Sequence, residues 1–164
     1  WRDRFAQSPD QWPVGGPLLA RLAQWDADIS QLGALVDGWE ALLAEGPLTE
    51  EAIMAFGEGH VEAWITAAEA ALPEPLSPVI GERALCWSYA DLAAHCSEAE
   101  DAIRVRAVAE KQGALRKSGT SMPRALRSFA VLGALGRRSL RNGKPVLSGP
   151  GDFLAAIRVG MLGR

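Results

Sequence analysis

The stretch covering residues 122–142 constrains this chain most, because its apolar residues do not keep to one stripe. On a helical wheel Leu126, Phe129, Gly133 and Leu140 mark one side, whereas Val131, Leu132 and Leu135 fall opposite, so the middle turns are apolar all round. Such a helix needs neighbours on several flanks, and the pattern predicts a buried helix about which the rest of the chain is organised. Pro123 fits the first helical position, where its missing N–H has no intrahelical acceptor to lose, and Gly143 fits the left-handed residue just past the end. Arg137, Arg138, Arg141 and Lys144 crowd the last turn, where cations complement the macrodipole. A capped, solvated helix end is the preferred reading of this cluster over a phosphate site.

The rest of the pattern is helical too. Alanine and leucine dominate and alternating β-branched runs are absent, which predicts an all-α fold. With 164 residues, 48% of them hydrophobic, the chain can bury one sizeable core, so residues 1–164 are expected to form one all-helical domain. The formal charge of -3 gives no overall attraction to nucleic acid, and no nucleic-acid partner is expected. No apolar run approaches the roughly 20 residues that span a bilayer, so no transmembrane segment is expected. The start lacks a charged-then-apolar signal pattern, which points to a cytoplasmic location. Cys86 and Cys96 lie ten apart on one predicted helix, too far along the axis to join, and are expected to be reduced thiols. Trp1 opens inside what reads as a helix already under way, so an upstream segment is expected.

In chain order, residues 1–7 read as the tail of that helix and residues 17–25 as a short one. Residues 28–45 read as one amphipathic helix carrying Ile29, Leu32, Leu35, Val36, Trp39, Leu42 and Leu43, stopped by Gly46-Pro47. Thr49 caps a helix running to Leu72, and Pro73 and Pro75 end it. Ser77-Pro78 opens another that continues to about Cys96. Residues 98–117 form the next, interrupted or ended near Gly113, and residues 117–121 link it to the buried helix. Asp152 caps a last helix bearing Phe153, Leu154, Ile157, Val159 and Leu162. About seven helices and no sheet are expected.

Several residues are candidates for chemistry. Phe56, His60 and Trp64 lie at successive turns of one arc, and with Trp39 on the preceding helix they could line an apolar pocket. A lone histidine there also fits a hydrogen-bonded core residue. Gly57 and Gly59 in mid-helix imply that another backbone or a ligand packs closely. Asp37 and Glu40 share a face and could hold a hard cation through water, although a solvated edge is the plainer reading. Ala84, Ser88, Asp91 and His95 form a more polar face, on which Asp91 and His95 could pair or share a metal; an ordinary surface pair is preferred. No Gly-rich phosphate loop, zinc spacing or nucleophile elbow is present, and no residue is assigned a catalytic role.

Taken in order, these segments resemble the later part of a squalene/phytoene synthase family protein. Trp1-Arg2-Asp3 is similar to the family's tryptophan-rich helix, and Leu35-Val36-Asp37-Gly38-Trp39-Glu40-Ala41-Leu42 to the helix that follows it. The run from Phe56 to Trp64 resembles the glycine-containing helix of the prenyl cavity. Gly81 to Leu92 resembles the helix of the second aspartate-rich motif, and Met122-Pro123-Arg124-Ala125-Leu126-Arg127 the late helix. The resemblance implies an isoprenoid-synthase-like helical bundle lacking an N-terminal segment. It implies a ligand that is a prenyl diphosphate or another apolar lipid, joined head to head in active members with Mg²⁺ held by two aspartate motifs. Peripheral membrane contact, at the inner face of the membrane, is compatible with it. Here Asp91 is followed by His95 instead of a second Asp, Leu42 or Leu43 stands where an Asp is usual, and the first motif would lie upstream of Trp1. Mg²⁺ is therefore expected only if an upstream segment supplies a motif, and turnover is expected to be impaired. The alternative is a non-catalytic lipid-binding, assembly or protein-interaction domain; relatives of this sort are linked to respiratory-complex assembly.

Overall fold

A computed structural model describes residues 1–72, 78–116 and 120–163. The expected stop at Pro73 and Pro75, the cap at Ser77 and part of the linker at residues 117–119 lie outside the described residues. Eight α-helices and no strand are present among those described: α1 Arg2–Phe5, α2 Pro17–Leu22, α3 Gly33–Ala41, α4 Glu50–Glu69, α5 Val79–His95, α6 Ala99–Lys111, α7 Arg127–Asn142 and α8 Pro150–Leu162. Local chemistry sets several of the ends. The Thr49 hydroxyl accepts from the Ala52 N–H at the start of α4, with Glu50 and Glu51 in the first turn. Gly143 closes α7 in the left-handed conformation at φ 63°, and Gly113 turns the chain after α6 at φ 75°. The expected helix over residues 28–45 is instead a 3₁₀ turn, Ile29–Leu32, followed by the shorter α3. The Asp28 carboxylate accepts from Ser30 and Gln31 and holds that tight turn. The helix expected over 122–142 likewise opens with a 3₁₀ turn, Arg124–Leu126.

The neighbours run in the order α3, α4, α5, α7, α8, and glycines set the spacing. At the antiparallel α3–α4 seam, a Cβ on Gly38 would lie 2.9 Å from the Ala55 carbonyl oxygen, and one on Gly59 would lie 2.3 Å from that of Ala34. The two mid-helix glycines of α4 thus answer to close neighbours: Gly57 receives the Tyr89 ring of α5, and Gly59 receives the α3 backbone. Between α5 and α7, Gly133 lies under the Arg83 side chain and Gly136 against the Cys86 carbonyl, so these two helices run parallel. α6 packs on α5 and is tied to the start of α4, with Leu48 N–H donating to Asp101 at 3.1 Å and Lys111 meeting Glu50 at 2.6 Å. α8 returns along α7, and beyond its end the Gly163 carbonyl accepts from the Met122 N–H at 2.9 Å.

This arrangement shifts the centre of the molecule from the stretch expected to hold it. Ten of the seventeen residues of α5 are buried, against six of sixteen in α7, and α5 is flanked by α4, α6 and α7. Val131 and Leu132 of α7 are only half-buried. Ala84 and Ser88, expected on a polar face of α5, are wholly buried, because small side chains let neighbouring helices close on that face. The buried apolar residues fall into three clusters. Ile53, Phe56, Tyr89, Val105 and Val108 form one, Ile80, Met122, Leu126 and Val159 the second, and Trp12, Leu19, Leu22 and Ile29 a third near the start of the chain. Both cysteines are free thiols. No described helix is long and apolar enough to cross a membrane.

Candidate functional site

Three of the four expected pocket residues meet. Trp39 presents its edge to Phe56 at 4.9 Å between ring centroids, and His60 lies 4.2 Å from Phe56 and 6.1 Å from Trp39. The helical period of α4 puts Phe56 and His60 one turn apart, and the close α3–α4 seam brings Trp39 over them. Trp64 departs from the group: it packs on Phe129 of α7 at 4.8 Å, in the second apolar cluster. A further turn along α4 rotates the side chain away from α3. His60 is a hydrogen-bonded ring, with Nδ1–H donating to the Phe56 carbonyl at 2.9 Å. Burial lowers its pKa below 6.5, while that carbonyl and the charge of Asp91 pull the other way. The neutral imidazole is therefore the form that the fold favours.

The two acidic candidates are not free donor sets. Asp37 and Glu40 both grip Arg2, whose guanidinium reaches Glu40 at 2.7 Å and Asp37 more closely still. The hydrogen bond that Arg2 donates to Asp37 is the first cause of the raised Arg2 pKa. Asp91 and His95 form an i,i+4 surface pair at 3.5 Å, with His95 also bonded to the Asp91 carbonyl. Among the described residues no three His, Cys, Asp or Glu side chains converge on one point. An open groove of about 380 Å³ runs along the α3–α4 seam, but Asp37, Glu58 and Glu62 line it. That wall repels an anionic head group.

Sequence reasoning missed the strongest polar feature. Arg83 of α5 is 2% exposed and Arg137 of α7 is 8% exposed. Among the described residues neither is ion-paired, and Arg83 Nε, Arg137 Nε and Arg137 Nη2 are buried without a hydrogen-bond partner. Gly133 makes the juxtaposition possible: a Cβ there would fall 2.6 Å from Arg83 Cδ, and Arg137 follows one turn later on the same helix. Burial lowers the Arg83 pKa and the neighbouring Arg137 charge lowers it further. Cys86 lies on the same seam and donates to the Ala114 carbonyl at 2.7 Å. Burial raises its pKa against the opposing pull of Arg137, which keeps it a thiol. The other two arginines of the expected basic helix end are engaged at the surface. Arg138 bonds Asp152 at 2.7 Å, and Arg141 donates to the Leu115 carbonyl at 2.6 Å. Two guanidinium groups side by side make an electropositive site.

No family model, no curated protein and no solved structure matches the chain. The likeness to squalene/phytoene synthases therefore rests on the residues quoted above alone.

Proposed function

We propose that the protein binds a prenyl diphosphate, in a helical frame of the isoprenoid-synthase kind, without turning it over. One observation carries the reading: Arg83 and Arg137 are buried side by side, three of their nitrogens have no hydrogen-bond partner, and among the described residues neither forms an ion pair. A diphosphate supplies the missing countercharge, because guanidinium forks match phosphate oxygens and bind them most strongly out of water. Apolar side chains beside which a prenyl tail would run lie one turn from Arg83, at Ile80 on α5, and two turns from Arg137, at Phe129, with Trp64 against it. The Trp39, Phe56 and His60 group offers a second such surface. Turnover is disfavoured because ionising a prenyl diphosphate requires cations that neutralise the leaving group. The acidic pairs are committed elsewhere, and an apolar wall binds the ligand equally before and after ionisation.

Calorimetric titration of the 164-residue chain with farnesyl diphosphate, in the presence of a chelator, tests this. Binding is expected, with farnesol much weaker, and Arg83→Met or Arg137→Met should weaken only the diphosphate-bearing ligand, by roughly tenfold or more for a lost charge-assisted contact. No binding, or equal binding by the double variant, would overturn it. Mg²⁺-dependent release of diphosphate that disappears in Asp91→Ala would show instead that the chain is catalytic.

A further inference from the structure

The last helix presents two unlike faces. Asp152 and Val159 are buried against α7, held by the Arg138–Asp152 pair and by Arg127 donating to the Gly160 carbonyl. The opposite face is apolar and open: Phe153 is 62%, Leu154 65%, Ile157 44% and Met161 69% exposed. Residues 153, 157 and 161 are spaced by four, so the stripe is continuous along the helix. Arg158, four residues from both Leu154 and Leu162, flanks it and is exposed. A contiguous apolar stripe of this kind on a water-facing helix marks a contact surface.

Charge says what the surface meets. The last 54 residues hold eleven of the seventeen Lys and Arg but only one of the twenty Asp and Glu, Asp152, which Arg138 and Ser148 already engage. The net charge of -3 thus hides a strongly acidic first part and a strongly basic last part. Arg124, Arg138, Arg141, Lys144 and Arg158, all in or next to α7 and α8 along the chain, are exposed. We infer that α8 docks on an anionic lipid surface, its Phe153, Leu154, Ile157 and Met161 entering the head-group boundary while the flanking basic residues meet lipid phosphates. An apolar stripe bordered by cations is the arrangement that lies in the plane of a membrane interface, and each nearby Lys or Arg strengthens attachment to an anionic leaflet. A second copy fits less well. Two-fold pairing through this face would bring the two basic surfaces together.

This inference stands apart from the prenyl diphosphate reading, which is tested in solution without lipid. Co-sedimentation of the chain with vesicles of equimolar phosphatidylcholine and phosphatidylglycerol should give binding that weakens with salt, and pure phosphatidylcholine vesicles little or none. Phe153→Ser with Ile157→Ser removes exposed apolar surface only, so circular dichroism should be unchanged while vesicle affinity falls roughly tenfold or more. Arg158→Glu should weaken binding and flatten its salt dependence. No sedimentation with the anionic vesicles, or the same sedimentation by both variants, would overturn the inference. So would a dimer in equilibrium ultracentrifugation that the serine variant dissociates.

Discussion

Replacing Arg137 by methionine should make the ligand-free protein more stable. Arg137 is 8% exposed beside Arg83 at 2%, and its Nε and Nη2 have no partner. Each unsatisfied buried donor costs about 1–3 kcal/mol. Methionine keeps most of the aliphatic stem and fills irregular space, so little packing is lost. Against this stands the pull of Arg137 on the Cys86 thiol, which the variant would lose. The balance is a gain of about 1–3 kcal/mol, in the range seen when buried charges give way to well-packed apolar groups. Urea unfolding followed by circular dichroism reads this directly, and with m of about 1–3 kcal/mol/M the midpoint should rise by roughly 1 M at unchanged slope. Saturating farnesyl diphosphate should narrow or reverse the difference, because a ligand stabilises only the protein that binds it. A loss of more than about 1 kcal/mol in the ligand-free variant would refute the reasoning, since removing an uncompensated charge should not destabilise.

Gly136→Ala should be destabilising by about 1–3 kcal/mol or more, because the added methyl would sit 2.3 Å from the Cys86 carbonyl oxygen at a backbone contact. Thermal unfolding should show a fall of about 2–4 °C for each kcal/mol, and an unchanged midpoint would mean that α5 and α7 are not so close. His60 sets a pH dependence. Its folded pKa is below 6.5, so its contribution is fully present above the unfolded value and is lost as the pH falls through the folded one. The urea midpoint should therefore drop on acidification below about pH 6.5, less so in His60→Gln; equal drops would remove His60 as the cause.

The helices were legible where the chemistry is local. Thr49 with its two glutamates, and Gly143 after the arginine-rich turn, announce an end of α4 and of α7 within a residue. The break between the Ile29–Leu32 turn and α3 was not legible, because the apolar spacing runs through it and only the Asp28 side-chain bonds choose the tighter coil. The central place of α5 was hidden by its small residues, which give no strong apolar period yet pack most closely. Trp39, Phe56 and His60 could be read as a group because two helical periods fix them, whereas Trp64 lies where a neighbour from much later in the chain decides its partner. Arg83 and Arg137 escaped for a like reason. Burial of an arginine depends on which helices meet, and the α5–α7 meeting is permitted by Gly133 and Gly136, some fifty residues from Arg83.

The parallel course of α5 and α7 bears on how the chain folds. α3, α4 and α5 follow one another as antiparallel neighbours, so their seams join stretches close in sequence and can close early. The α5–α7 seam joins Arg83 to Gly133 and Cys86 to Gly136, and the chain must travel through α6 and back before it can form. Closing a loop of that length costs entropy before any contact rewards it, which slows this step relative to the local hairpins. During synthesis the guanidinium of Arg83 stays in water until α7 has emerged. Desolvation of the two arginines thus waits on a late docking event, and mutations there should alter the unfolding rate more than the folding rate.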